Sequence, residues 1–263
     1  MSKSAYTWRL GMILGVAILM GAVLFSFPPI AQDPSYHNFA DKRSFLGVPN
    51  FADVFSNLPF IVVGFLGLRL IKKQWDHGSF FSQPSEKWMW LAFFFGIALV
   101  CFGSSYYHLK PNNTSLVWDR LPITIVFMSL FASIIAERIH PQTGNYLFPA
   151  LLVLGIGSVT FWHYSEQQGT GDLRPYVLVQ LFPMLAIPLI LILFPARYTG
   201  VRFLVQALGW YVLAKLFEHF DKTIFGLLQE TISGHTLKHL ASGVAVYSLF
   251  KYVKCRQKVP EHD

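Results

Sequence analysis

Residues 88–108 read WMWLAFFFGIALVCFGSSYYH. These 21 residues include no Asp, Glu, Lys or Arg, and a helix needs about 20 apolar residues to cross the hydrocarbon of a bilayer. The polar group Ser104 to His108 falls at one end of the run, where such a helix leaves the hydrocarbon. Seven further runs of the same kind lie at 10–27, 53–71, 119–136, 145–163, 175–194, 202–219 and 235–253. Turn formers separate them: Pro28-Pro29, Asp76-His77-Gly78, Pro111-Asn112-Asn113, Pro141 to Gly144, Gly169 to Gly171 and Pro195 to Gly200. The expected fold is all-α, a polytopic membrane helix bundle.

Composition agrees. Of 263 residues 13% are charged and 53% hydrophobic, against about 25% charged in soluble domains, which excludes an ordinary water-soluble enzyme. A net charge of +7 and a pI near 9.4 do not indicate nucleic acid, because the Lys and Arg residues are spread over short loops. They read instead as topology signals. With eight spans, the side holding both termini carries 13 Lys and Arg and the other side six, while Lys215 and Lys238 fall inside spans. The positive-inside rule then places both termini in the cytoplasm. Trp8, Trp88, Trp90, Trp118 and Trp162 stand at run ends, as interfacial anchors do. The first run reads as a retained anchor, since its apolar core of 18 residues exceeds the roughly 7–15 of a signal peptide and Pro29-Ile30-Ala31 is a poor cleavage site. Two cysteines, one of them (Cys101) inside an apolar run, make no disulfide framework.

Ionisable groups within spans are costly and therefore functional candidates. On this topology six histidines (His37, His108, His163, His219, His235, His239) lie at or near the non-cytoplasmic ends, and His77, His140 and His262 on the cytoplasmic side. His235 and His239 are four residues apart, on one helix face and about 6 Å apart along the axis. Ser104 and His108 share the same spacing, and Asp119 opens the next span at the same membrane level. Three histidines with an open fourth position and a nearby carboxylate are the donor set of a catalytic zinc site. Bland readings exist for each residue alone. The histidines could be hydrogen-bonded bundle residues or interfacial, Ser104 a packing serine, and Asp119 a helix cap ahead of Pro122. Their joint occurrence on one side of the membrane favours zinc.

Asn50-Phe51-Ala52-Asp53 with Ser56-Asn57, Gly103-Ser104-Ser105-Tyr106-Tyr107-His108, Trp118-Asp119-Arg120-Leu121-Pro122 and His235-x-x-x-His239 follow one another in order from about residue 50 to 250. This set resembles the alkaline ceramidase family of seven-helix membrane amidases. The resemblance implies a zinc ion held by His108, His235 and His239, with Ser104 and Asp119 beside it. The same skeleton occurs in progestin and adiponectin receptors and in hemolysin-like proteins; the D-x-L-P context of Asp119 favours the ceramidase branch. The extra apolar run is assigned to the N-terminus, which divides the chain into an anchor helix and loop (1–35), a seven-helix core (36–254) and a cytoplasmic tail (255–263). The family's calcium-binding acidic segment corresponds here to Tyr36-His37-Asn38-Phe39-Ala40-Asp41, with a single acid, so calcium regulation is not expected.

On this reading the expected function is hydrolysis of the amide bond of a ceramide-like membrane lipid, with the bilayer as its setting. Asp119 is expected to accept a proton from water and pass it to the leaving amine, and Ser104 to donate to the oxyanion. The rival from another class is a receptor-like or hemolysin-like protein with the same zinc site and no efficient turnover. A transporter would place its charges at the bilayer midplane rather than near one face. Lys215, Glu218, His219 and Asp221 form a further cluster, in which Lys215 and Glu218 can pair at i, i+3. It reads either as a structural ion pair or as a headgroup contact or support for the zinc ligands. His163 and Glu166 receive no role.

Overall fold

A computed structural model describes residues 3–76 and 80–260. His77, with the turn it shares with Gly78, and His262 lie outside the described residues. The described residues form helices α1 (Lys3–Ser26), α2 (Phe51–Phe55), α3 (Leu58–Lys73), α4 (Glu86–Leu109), α5 (Asn113–Arg138), α6 (Pro141–Gln167), α7 (Arg174–Leu193), α8 (Val201–His219), α9 (Asp221–Leu227) and α10 (Gly234–Cys255). Six spans among the described residues are long and apolar enough to cross a membrane: α1, the α2–α3 pair, α4, α5, α6 and α7. Helices α8 and α10 are 19 and 22 residues long. The protein is an all-helical, multi-pass membrane bundle.

Three differences from the sequence reading have local causes. Helix α5 begins at Asn113 rather than 119, because Asn112 accepts from the Ser115 amide while the Ser115 hydroxyl accepts from the Asn112 amide. Asp119 is thus inside the helix and is not its cap. The run expected at 53–71 is broken at Ser56-Asn57, whose side chains both donate to the Asp53 carbonyl, at 3.0 and 2.9 Å, and so compete with the helical ladder just ahead of Pro59. Third, Trp90 and Trp162 are core residues rather than interfacial anchors, each fully buried with its indole N–H on a carboxylate, Glu137 and Glu166 respectively. Trp8, Trp88 and Trp118 are exposed.

Helices α3, α4, α5 and α7 follow one another around the bundle, α6 covers α5 and α7, and α10 closes against α3. Helix α8 packs on α10, α1 leans on the outside of α7, and α7 and α8 share no extensive contact. The α4–α5 approach is very close. A Cβ on Gly103 would stand 2.0 Å from the carbonyl oxygen of Trp118. Pro122, inside α5, has no N–H to give that carbonyl, so the freed oxygen meets the bare glycine of α4. This contact sets the register of Ser104 and His108 against Asp119.

At the opposite end of the bundle Arg256 is buried between Glu86 and Glu137. Tyr198 and Tyr252 each donate to one of these acids at 2.6 Å. Residues 257–259, expected to lie in a tail, pair with the α7–α8 loop through Thr199 N–H to the Gln257 carbonyl and Val259 N–H to that of Arg197, both 2.9 Å.

Candidate metal centre and active site

Helix α4 brings His108, and α10 brings His235 and His239, into one buried cluster whose ligand nitrogens all lie within 4.8 Å of one another. Ring centroids are 4.8 Å apart for His108 and His235, 5.0 Å for His108 and His239, and 4.8 Å for His235 and His239. The i, i+4 spacing on α10 does what the sequence suggested, turning both imidazoles to the same side. Gly234 allows it: a Cβ there would stand 2.3 Å from the Phe217 carbonyl, so only glycine lets the first turn of α10 lie this close to α8. The Asp221 carboxylate accepts from the His235 amide at 2.7 Å and from the Ala40 amide at 2.9 Å, fixing that turn to the outer loop.

These donors fit a zinc ion. Nε2 of His108 and Nε2 of His235 are 3.3 Å apart, and two nitrogens bound at about 2.0–2.1 Å to a tetrahedral zinc stand about 3.3–3.4 Å apart. Nδ1 of His108, on the far side of the ring from that approach, is buried with no partner among the described residues. Nδ1 of His239 lies 2.7 Å from Ser56 Oγ, whose only proton goes to the Asp53 carbonyl at 3.0 Å. Ser56 must therefore accept, Nδ1 of His239 carries the proton, and Nε2 presents its lone pair to the cluster. The Asp53 carboxylate in turn accepts from Thr236 at 2.7 Å, between the two histidines of α10.

Sequence reasoning quoted Ser56 and Asp53 without assigning them a task. The signal that could have found them is the polar pair Ser56-Asn57 at a helix break beside Pro59. Phe39, in the segment compared with a calcium site, also had no task; its ring lies 4.7 Å from that of His108 and 4.4 Å from that of His235, covering the cluster from the outer loop.

Beside the cluster lies a cavity of about 510 Å³ walled by α4, α5, α7, α8 and α10. Its polar end holds His239, Ser104 and Asp119, with the Ser104 hydroxyl next to the Asp119 carboxylate. Apolar side chains line the rest, such as Val126, Leu130, Met184, Ile187 and Leu208. The wall runs from Tyr176 to Ile192 on α7, about 24 Å at the α-helical rise. Ile192 and Val205 line it and are also exposed, so the cavity opens sideways where α7 and α8 part.

The remaining histidines stay outside the cluster. His37 is held by Tyr107 and Asn113, both at 2.8 Å. His163 meets Gln167, His219 is exposed against Phe220, and His140 precedes α6. Glu166 accepts from Gln32 and Trp162. Glu218 pairs with Lys215 as the spacing suggested, and also with Lys238. Asp41, the single acid of the segment compared with a calcium site, is occupied by the amide, Nε and Nη2 of Arg43. Burial opposes its ionisation, but these bonds hold the Asp41 carboxyl below its ordinary range.

No curated protein matches the chain significantly. A family model described as Ceramidase matches residues 47–262. That stretch takes in α2 to α10, the histidine cluster and Asp119, and the chain belongs to the ceramidase family.

Proposed function

We propose that the protein is a zinc-dependent integral-membrane hydrolase that cleaves the amide bond of a ceramide-like lipid, releasing a fatty acid and a sphingoid-type base. One observation carries this reading: three buried histidines with converging ring nitrogens stand at the polar end of an apolar cavity that opens toward lipid. An amphiphile can keep its chains among the apolar side chains of α5, α7 and α8 while its amide reaches the histidines.

His108, His235 and His239 would hold the zinc ion, with Ser56 keeping His239 in its ligating tautomer. The chemistry a bound zinc supplies at such a triad is Lewis acidity toward the amide carbonyl and toward water near neutral pH. Asp119 takes the proton of the attacking water and later delivers it to the leaving amine nitrogen. Ser104, next to Asp119, donates a hydrogen bond to the developing oxyanion. Phe39 closes the outer side, which limits water at the reacting carbonyl. In this reading residues 1–35 anchor the chain and 36–254 carry the chemistry. Both termini face the cytoplasm, with the site toward the periplasmic side of a bacterial inner membrane.

The deciding experiment measures fatty acid release from labelled ceramide by the purified protein, before and after zinc is stripped and restored. Release that stops on stripping and returns with zinc is the expected result. No release by zinc-replete protein would leave a receptor-like role for the same site.

A further inference from the structure

The proposed chemistry leaves one group of charged residues unused. Glu218 on α8 accepts from Lys215 Nζ through Oε2 at 2.7 Å and from Lys238 Nζ through Oε1 at 2.8 Å. The Tyr36 hydroxyl approaches Oε1 at 3.5 Å. All four residues line the cavity at the end where Ser104, Asp119 and His239 stand. Lys238 Nζ is also 3.5 Å from Nε2 of His235, so this group adjoins the candidate metal centre.

Arg120 completes it. Its guanidinium lies 4.1 Å from the Trp162 ring centroid, 4.7 Å from that of Tyr176 and 5.8 Å from that of Tyr36. One Nη donates to Gln32, but the other, Nη1, is buried with no partner among the described residues. Arg120 also lines the cavity. A buried guanidinium keeps an unpaired donor only at considerable cost.

Among the described residues that line the cavity, Lys215, Lys238 and Arg120 outnumber Glu218 and Asp119 by one positive charge before any metal binds, with Lys215 at the exposed rim. Each ammonium has three donors and gives one to Glu218. The excess charge, the spare lysine donors and the orphan Nη1 of Arg120 sit together where a lipid headgroup would enter. We infer that the amphiphile accepted by this cavity bears an anionic headgroup of the phosphate or sulfonate type. Lys215, Lys238 and Arg120 bind the anion, and Glu218 holds the two lysines in place. The inference rests on the reading that the cavity takes an N-acyl lipid.

Two probes with identical chains test it: ceramide, with a free primary hydroxyl, and ceramide 1-phosphate. Binding to zinc-stripped protein in nanodiscs of neutral lipid is measured by tryptophan quenching, and KM and kcat are measured on zinc-loaded protein. The phosphorylated probe is expected to bind roughly 10-fold or more tightly, the effect of one or more charge-assisted hydrogen bonds. Lys215→Gln and Arg120→Gln should each move the ratio toward one, while Lys215→Arg should keep it. Lys215 is half-exposed, so its variants are compatible with folding. Equal binding of the two probes by the unmodified protein, or a preference untouched in both Gln variants, overturns the inference. Hydrolysis of both probes with equal KM would do the same while leaving the hydrolase reading intact. Preferential binding of the phosphorylated probe with no fatty acid release from either would sink the hydrolase reading and leave the headgroup inference standing.

Discussion

The hydroxyl of Ser56 stands 2.7 Å from Nδ1 of His239, and because it gives its own proton to the Asp53 carbonyl it can only accept from the imidazole. Partners of this kind typically account for about 10–100-fold in metal affinity. Ser56→Ala is therefore expected to weaken zinc binding by about that factor, with Ser56→Thr recovering most of it. Competition against a chelator of known affinity measures the change. Unaltered affinity in the alanine variant would reduce Ser56 to a packing residue.

Asp119→Asn keeps the shape of the side chain and removes its basicity. Turnover should fall by about 10² to 10⁴ with zinc content retained. Metal analysis alongside kcat separates the alternatives, since loss of zinc together with activity would make Asp119 a ligand.

Gly103→Ala drives a methyl group into the Trp118 carbonyl, which α5 cannot withdraw without shifting Asp119. A loss of roughly 1–3 kcal/mol is expected, as for other overpacked contacts. Gly157→Ala is the control, with open space around its Cβ position. Thermal melting of both variants in one detergent makes the comparison, and equal melting temperatures would show that the α4–α5 contact yields easily.

Asp172 ties the start of α7 to the end of α1: Arg174 bonds its carboxylate at 2.9 and 2.8 Å and also reaches the Phe27 carbonyl at 2.6 Å. These bonds to Arg174 hold the Asp172 carboxyl below its ordinary value. A carboxyl depressed in the folded state stabilises the fold above its unfolded pKa, about 3.9, and the stabilisation is lost as pH falls through the lower folded value. Acid lability below about pH 4 should therefore be reduced in Asp172→Asn, which is less stable at neutral pH. Melting curves between neutral and acid pH test the sign.

Hydrolysis should survive a calcium-selective chelator. Calcium usually takes six to eight oxygen ligands, and both oxygens of Asp41 are already bonded to Arg43. Several-fold activation by micromolar calcium, abolished by Asp41→Ala, would show that the segment binds the ion after all.

The spans and the histidine cluster were legible because each follows from a period or a length. Twenty apolar residues fit one membrane thickness, and His235 with His239 repeats at the pitch of one helix. What was not legible depends on contacts between distant segments. A helix cap was the bland alternative for Asp119, open only because the polar group that nucleates α5, Asn112 with Ser115, precedes the apolar run. Trp90 and Trp162 looked interfacial because run ends are where tryptophans anchor, yet each is buried with a glutamate from another helix or turn as its partner. No local pattern reveals that Phe39, from a loop far along the chain, would lie over two histidines. The pairing of Lys215 with Glu218 was readable from i, i+3 spacing, whereas the second partner, Lys238, comes from α10.

The burial of Arg256 between Glu86 and Glu137 has a bearing on biogenesis. Both acids belong to helices made well before the cation that pairs with them, which follows α10. Until then two carboxylates at this end of the bundle lack that arginine, and leaving one buried charge without its partner costs about 3–5 kcal/mol. This end of the bundle can lock only once residue 256 has been made. A chain that stops short of residue 256 carries that deficit permanently.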